Sequence, residues 1–453
     1  MALRGQGSWR VSLPGPRILP LLAPVWRFFA CCLLRPVCPY LPPALPQDFP
    51  PGDKNPPVTN FLRRWRWSRV NPKQASHARW RGGGKGCGVL TDVVVVGGGL
   101  SGLMAAERLA REGLFVTVVD RGEPGAAWGG TGLVAPVLDG TAPDALWDLV
   151  DDAVRRWPDW LVDADLEEQV PRARGLLAAA ESPFHRQELE RIRGRWQRRH
   201  PAVDWLTGSS LAGTVAGLGR HVEAGLLHHD ALRVDPHRLG ALLAASIQGR
   251  GARIRWGTPA LALEVRGDRV HGVRLPGEIL PGGAVVLATG AEAAGLWPEA
   301  AAPLPASVQR WTSVTLVGVA APRVPIAGRG RMVLPLDSGA AALVSVADGA
   351  DYRSAPSAAG LRRALDAADL LPAMAEGRVV GLASRLTPAL PGGLPLLGGW
   401  PGLEGLGGLV AAVGVGPHGL TLAPLMSDVV YALLCDVPVP FDLDPFRPDR
   451  GED

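Results

Sequence analysis

The stretch Thr91-Asp92-Val93-Val94-Val95-Val96-Gly97-Gly98-Gly99-Leu100-Ser101-Gly102 joins an unbroken valine run to a spaced set of glycines. The valines predict a short buried strand over residues 91–97. Ser101–Glu112 then repeats apolar residues at helical spacing, with Leu103, Ala106, Leu109 and Ala110 on the inner side. Gly113 stops that helix, and the β-branched run 114–119 ends in Asp120. Strand, helix and strand within about 30 residues form a parallel βαβ unit. Gly97, Gly99 and Gly102 fit G-x-G-x-x-G, and each has its own task. Gly97 allows the tight turn off the strand, Gly99 lets the backbone approach a pyrophosphate, and Gly102 lets the helix pack close to the sheet. The helix start, with Leu100 and Ser101, offers unpaired N–H groups and a favourable dipole end to phosphates. Asp120 lies 21 residues after Gly99, where a carboxylate can accept hydrogen bonds from ribose hydroxyls. An acid there disfavours a 2′-phosphate, so NADP fits least well among the dinucleotides. A glycine hexapeptide alone says little in a chain with 58 glycines; the flanking strand, helix and acid give it weight.

Outward from this unit, composition bounds the rest. A chain of 453 residues, 47% hydrophobic and 20% charged, is globular and long enough for two domains. Charge is uneven: residues 1–88 hold 14 basic and two acidic residues, leaving 33 basic against 41 acidic in the remainder. The whole-chain charge of +4 therefore comes from this leader and says little about the partners of the folded part. Cys31, Cys32, Cys38 and Cys87 lie in the leader and Cys435 far beyond it, with neither a disulfide framework nor metal-ligand spacing. A reducing compartment and a cytoplasmic location are expected. In the leader, Arg4, Arg10 and Arg17 precede the apolar stretch 18–37, which Pro20, Pro24 and Arg27 interrupt. A proline-rich run and the basic, Trp-containing stretch 61–81 follow. Three readings stand: a disordered tail, a start that includes translated upstream sequence, and a membrane or targeting element. Membrane contact is thus possible through the leader. The basic aromatic stretch matches no recognised nucleic-acid module, and no nucleic-acid partner is expected.

Farther along, residues 145–160, 235–248, 361–371 and 422–434 read as helices, and 187–198 as a charged, exposed one. Residues 252–256, 261–266, 269–275 and 283–287 read as short strands, and 314–321, 332–336 and 342–346 as strands of a second sheet. His221, His228 and His229 fall in a loop-like stretch without ligand spacing and receive no role.

Several blocks together resemble the D-amino acid oxidase family of flavoproteins, which includes glycine oxidase, sarcosine oxidase and D-amino acid dehydrogenase. They are the glycine turn with Val118-Val119-Asp120-Arg121-Gly122; the loop Ala126-Ala127-Trp128-Gly129-Gly130-Thr131-Gly132; Val234-Asp235-Pro236 with Leu239; the strand 270–273; the run 285–290; and Gly414-Val415-Gly416-Pro417-His418-Gly419 with Thr421 and Pro424. The resemblance covers about residues 91 to 435 and implies an α/β fold: a Rossmann-like FAD-binding domain with an inserted mixed α+β substrate domain. It implies FAD-domain pieces at 89–172, 225–305 and 388–445, and a substrate domain at 173–224 and 306–387. It implies FAD contacts from Gly97, Gly99, Leu100, Ser101, Gly102, Asp120, Arg121, Gly129, Gly130, Thr131, Val265, Gly290, Gly414, Gly416, Gly419 and Thr421.

Flavin amine chemistry needs no triad or metal, because the cofactor accepts the substrate hydride itself. The protein must hold a carboxylate, and an arginine fork matches one bidentately. Arg385 is the candidate, in Ala383-Ser384-Arg385-Leu386-Thr387-Pro388. The family usually has proline directly after this arginine; here it is Leu386, and the loop 387–393 carries no aspartate. Where glycine oxidase-like members begin a strand with a substrate-contacting tyrosine, this chain has Met332, which makes the pocket more apolar or simply fills core; Tyr352 could enter from the next loop. Arg331 reads as a solvated edge residue. His418 lies within a flavin-binding block, where it either shapes the site or packs. Cys435 reads as a helix residue rather than a covalent flavin attachment.

The resemblance implies an FAD-dependent oxidoreductase acting on the C–N bond of a small amino acid or secondary amine, with O2 as electron acceptor. The rivals are a D-amino acid dehydrogenase passing electrons to a quinone or other carrier, an amine oxidase in thiazole cofactor or tRNA modification, and a redox-silent flavin binder. The oligomeric state is left open.

Overall fold

A computed structural model describes residues 91–122, 130–170, 172–199, 202–296, 307–336, 339–349, 353–399, 407–439 and 441–447. β1 (Thr91–Val96) runs into α1 (Leu100–Arg111) and β2 (Val116–Val119). β3 (Leu133–Val134), α2 (Asp144–Asp163), β4 (Arg172–Ala180), α3 (Pro183–Arg199), β5 (Val203–Thr207), α4 (Gly208–Thr214) and β6 (Ala224–Val234) follow. α5 (Pro236–Gly249) leads to β7 (Arg253–Arg255), β8 (Ala262–Arg266), β9 (Arg269–Leu275) and β10 (Glu278–Leu287). Next come β11 (Ser307–Val317), β12 (Ile326–Gly328), β13 (Arg331–Pro335), β14 (Ala341–Gly349), α6 (Ala358–Leu365) and β15 (Arg378–Ala389). β16 (Leu396–Gly399), β17 (Leu409–Val413) and α7 (Gly419–Cys435) complete the set.

The first sheet has the order β16-β17-β10-β1-β2-β7, with β8 and β9 extending from β10. β1 is parallel to β2 on one side and to β10 on the other. The strand order thus reverses at β1, and in open parallel sheets ligands bind outside the strand ends at such a reversal. The valine run explains why β1 is central. Val93 and Val95 face the core formed with α1, α5 and α7, while Val94 and Val96 face the core under the β8–β9 hairpin. A strand buried on both faces needs a continuous apolar run rather than an alternating one.

The second sheet has the order β15-β11-β14-β13-β12-β4-β6-β3, with β5 paired to β6. It is antiparallel apart from the β12–β4 pair. Its two faces differ. Leu177, Val314, Leu316, Val333 and Leu343 lie on the face that packs under α6 and the 3₁₀ turns 366–370 and 372–376. The other face carries Leu176, Ala231 and Ala327, then Leu334, Ala342 and Val344, with Met332 packed against both groups. The architecture is therefore α/β with a second, curled sheet, as expected.

Three local readings change. The stretch around His228 is no loop: it is the middle of β6, and His228 is fully buried edge-on to Trp196. The helix read as charged and exposed buries one face, through His185, Leu189, Ile192 and Trp196. Arg331 is no solvated edge residue, because its guanidinium Nε donates to Glu181 at 3.0 Å and its Nη1 donates to the Asp366 carbonyl at 2.9 Å. β6, Ala224–Val234, spans the expected boundary at 225 and belongs to the second sheet.

The terminal helix is long and apolar enough to cross a membrane. It packs instead within the core with α1 and α2. Its one carboxylate, Asp428, accepts from Arg108 Nε at 3.0 Å and from Arg156 Nε at 2.9 Å. Residues 1–90, which include the whole leader 1–88, and Gly129 lie outside the described residues.

Candidate active site

The glycine turn has the geometry its sequence requires. Gly97 has φ +110°, and a Cβ there would overlap the Ala288 carbonyl at the end of β10. A Cβ at Gly102 would run into the Gly97 carbonyl oxygen, so α1 approaches the turn too closely for any side chain. Gly99, by contrast, faces open space. It is the N-cap of α1, with no side-chain cap and no acidic residue in the first turn. The N–H groups of Leu100, Ser101 and Gly102 precede the first intrahelical bond, which Leu103 N makes to Gly99 O at 2.9 Å. This turn can accept an anion against backbone.

Asp120 sits beside it at the end of β2. Its Oδ2 accepts from Gly98 N at 2.6 Å and its Oδ1 from Gly122 N at 2.7 Å. Each carboxylate oxygen keeps a second acceptor position, so ribose hydroxyls can be held by the same group. Arg121 is exposed and paired to Glu292. Thr289, next to the turn, has a buried Oγ1 without a hydrogen-bond partner, and Gly290 follows at φ +60° with open space around it. Val265 stands on β8 opposite Val270, with its side chain 45% exposed.

One residue that sequence reading passes over is Trp256. Asp120 N donates to the Arg255 carbonyl at 3.1 Å, and Thr258 N donates to the Asp120 carbonyl at 2.7 Å. These two bonds bracket Trp256 and press its ring against the turn: a Cβ on Gly98 would lie 2.5 Å from the indole Cζ3. Only the pairing of β2 with β7 brings it there, so no local pattern announces it.

A second turn lies at the start of α7. Gly414 (φ +72°) abuts the Leu390 side chain, and Gly416 (φ +54°) lies near the Pro388 carbonyl. Pro388 lies at the end of β15 and Leu390 directly follows it. Gly419 is the first residue of α7, and His418 is its N-cap without a side-chain cap bond. Thr421 is buried, and its Oγ1 accepts from Ala135 N at 3.3 Å. Its carbonyl accepts from Trp157 Nε1 at 3.0 Å. Burial holds the His418 imidazole well below its usual range, at about 4, against a weaker opposing pull from Asp139. The ring is therefore neutral at pH 7. Gly130 is exposed and Thr131 Oγ1 accepts from Leu133 N at 3.2 Å, two residues before β3 begins at Leu133.

Ala135 ties this turn to the second sheet, because it packs with Leu176, Ala231, Ala327 and Met332. The apolar face of that sheet thus continues from the α7 start toward β15. On β15, Arg385 projects from the same face as Trp311, its partner on β11. Arg385 lies three residues before Pro388, or about 10 Å along the strand. Leu386 keeps the N–H that a proline would lack, and β15 runs on in register with β11 through Ala389. Met332 pairs with Val344, which pairs in turn with Ser313. Met332 and Arg385 are consequently three strand spacings apart, about 14 Å, on one face rather than in contact. Tyr352 lies outside the described residues.

Residues 92–433 match the family described as FAD dependent oxidoreductase, DAO. The chain belongs to the DAO family. Glycine oxidase from Pseudomonas aeruginosa is 29% identical over 374 residues, covering 79% of this chain and 98% of that protein. The bifunctional protein ThiO/ThiG of Trichormus variabilis is 25% identical over 366 residues, covering 78% of this chain. This chain spans about half the length of that relative, 53%. Among solved structures, glycine oxidase from Geobacillus kaustophilus superposes with a TM-score of 0.71 at 24% identity, covering 79% of this chain and 98% of that one. As a DAO-family member the chain is an FAD-dependent oxidoreductase. The glycine turn fits the dinucleotide: Gly99 leaves the approach open, the α1 start is uncapped, and Thr289 Oγ1 waits for a partner. Gly97, Gly99, Gly102 and Asp120 come together at one strand-order reversal, and Gly414, Gly416, Gly419 and Thr421 gather at the other turn. Arg121 adjoins the first group beside Asp120, whereas Val265 is exposed on the β8–β9 hairpin.

Proposed function

We propose that this chain oxidises the C–N bond of a small amino acid or secondary amine. The observation that carries this reading is the placement of Arg385 on an apolar sheet face continuous with the α7 turn. A guanidinium there anchors a carboxylate about 10 Å along β15 from the Gly416 turn. Bound FAD would be held by Gly97, Gly99, Leu100, Ser101, Gly102 and Asp120 at its adenosine and pyrophosphate end. Gly414, Gly416, Gly419 and Thr421 would lie along its flavin end, with Gly130, Thr131 and Gly290 nearby. The flavin supplies hydride acceptance, and the protein supplies orientation and a dry, apolar surround. Arg385 fixes the carboxylate so that the α-hydrogen faces the α7 turn. Leu334, Ala342, Val344 and Met332 exclude water from that side. His418, neutral at pH 7, adds no positive charge beside the amine and so does not oppose its approach. Loss of the α-hydrogen and the nitrogen lone pair's entry into the C=N bond yield an imine, which water converts to an oxo acid and an amine. O2 takes the two electrons with two protons, one of them from the amine N–H, and leaves as hydrogen peroxide. The relationship to glycine oxidase of P. aeruginosa supports the amine class.

The test is anaerobic bleaching of the yellow holoenzyme by glycine, sarcosine or a D-amino acid. Hydrogen peroxide should follow on readmission of air; bleaching without peroxide would assign the electrons to a quinone or other carrier. No bleaching by any amine would overturn the reading.

A further inference from the structure

Arg385 and Trp311 stand directly opposite each other on β15 and β11. Directly opposed residues of an antiparallel pair project from the same face with Cβ atoms about 5 Å apart. Each carries a buried N–H without an acceptor: Nε of Arg385 and Nε1 of Trp311. The guanidinium is anchored at its other end, where Nη1 donates to the Ser384 carbonyl at 2.7 Å. The indole is held by packing beside Met332 and Leu336 against Leu334, Ala342 and Val344. Both residues are half-buried, yet these two N–H groups are themselves shut off from solvent.

Buried N–H groups without partners are uncommon, and two that neighbour each other call for a common explanation. Both groups are donors only, since neither indole nor guanidinium can accept a hydrogen bond. They cannot satisfy each other. Their partner must supply two acceptor positions and, opposite a guanidinium, negative charge. The next pair along these strands, Thr312 Oγ1 and Ser384 Oγ, is also without partners. It lies on the opposite face, and hydroxyls both donate and accept, so it demands no ligand.

We propose that Trp311 Nε1 and Arg385 form a two-donor clamp for the substrate carboxylate, with Trp311 supplying the second donor that Met332 cannot. This rests on the amine-oxidising reading for its substrate, although the clamp itself requires only a carboxylate. Trp311 is thereby a substrate-binding and specificity residue in direct contact with the carboxylate. Because the indole also occupies the sheet face beside Arg385, it favours a short substrate side chain.

The experiment uses holoenzyme titrated with glycolate, a carboxylate without an amine, followed by the flavin absorption difference spectrum. Glycolamide, its uncharged counterpart, serves as the control probe. Trp311→Phe keeps a ring and removes the N–H; it should raise the glycolate dissociation constant about tenfold or more, as expected for a bond to a charged group. The weak binding of glycolamide should not change. Trp311→His, which keeps a ring N–H, should stay within about threefold of wild type by the same reasoning and guards against a packing defect in the phenylalanine variant. Equal glycolate affinity in wild type and Trp311→Phe overturns the clamp, as does a wild-type enzyme indifferent to glycolate. Amines that bleach the flavin with the same KM in wild type and Trp311→Phe would overturn the clamp and leave the amine reading standing. Glycolate binding that depends on Trp311, without bleaching by any amine, would do the reverse.

Discussion

Gly99 and Gly102 are three residues apart in one turn, and a methyl group added at each meets different surroundings. At Gly102 it would strike the Gly97 carbonyl, which belongs to backbone and cannot move aside. Gly102→Ala should therefore lower the unfolding temperature of the apoprotein and abolish FAD uptake together. At Gly99 it meets open space, so Gly99→Ala should leave apoprotein stability within about 1 kcal/mol of wild type, the usual range for a strain-free glycine change. Its FAD affinity should nonetheless fall at least tenfold, because the methyl occupies the pyrophosphate's approach. Apoprotein melting and fluorescence-monitored FAD titration separate the two; equal losses in both variants would contradict this division of roles. The division is legible in sequence because each glycine acts within one local turn. Trp256 and Trp311 are not legible, because their contacts are made across strands whose register no short pattern encodes. His418 is legible as a position but not as a titrating group. Its folded value of about 4 lies below the ordinary 6.5, so the unfolded chain takes up a proton first as pH falls. The stability this represents is complete above about pH 6.5 and is lost progressively toward pH 4. His418→Gln should remove that loss, gaining about 1–2 kcal/mol on wild-type apoprotein by pH 5 and nothing at pH 7.5. Denaturant titrations at the two pH values measure it; an offset independent of pH would assign His418 a packing role alone.

Among elements, the parallel βαβ unit and the terminal helix follow from their patterns, whereas the second sheet is only half visible. β11 alternates strictly, with buried residues at every second position, although the sequence reading starts its strand only at 314. β4, whose run is Arg172-Ala173-Arg174-Gly175-Leu176-Leu177-Ala178-Ala179-Ala180, has alanine where strands favour β-branched residues. Its inner part is buried on both faces, so alternation is erased there. α3 fails for the opposite reason. Its arginines outnumber its apolar residues and hide a narrow buried stripe. Trp196 anchors that stripe: it is fully buried, donates from Nε1 to the Val137 carbonyl at 3.2 Å, and meets His228 edge-on. Trp196→Ala should cost about 3–5 kcal/mol as a large cavity opens between α3 and β6. Trp196→Phe keeps most of the volume and loses the hydrogen bond, so about 1–2 kcal/mol is expected. Chemical denaturation distinguishes this from a solvated helix, for which both changes would fall within about 0.5 kcal/mol.

Across the whole molecule, the groups that would hold FAD come from three remote segments: Gly97–Gly102 with Asp120, Thr289 with Gly290, and Gly414–Thr421. The first sheet unites them, because β10 lies between β1 and β17 and carries the second segment at its end. A ligand that touches all three binds only when β1, β10 and β17 are assembled, so it has no affinity for the unfolded chain. Linkage then requires stabilisation by about 2.7 kcal/mol when free FAD reaches 100 times its dissociation constant. For a folded part of this size that corresponds to a rise in unfolding temperature of about 3–8 °C. FMN, which lacks the adenosine half, forfeits the Gly97–Gly102 and Asp120 contacts and should give a much smaller rise at equal concentration. Gly99→Ala should shift the FAD concentration needed for a given rise by the same factor as its loss of affinity. Calorimetry of apoprotein against an FAD series tests this. Equal rises with FAD and FMN would mean that the strand-order reversal at β1 does not hold the adenosine end, and the assignment of Gly99 and Asp120 would fall with it.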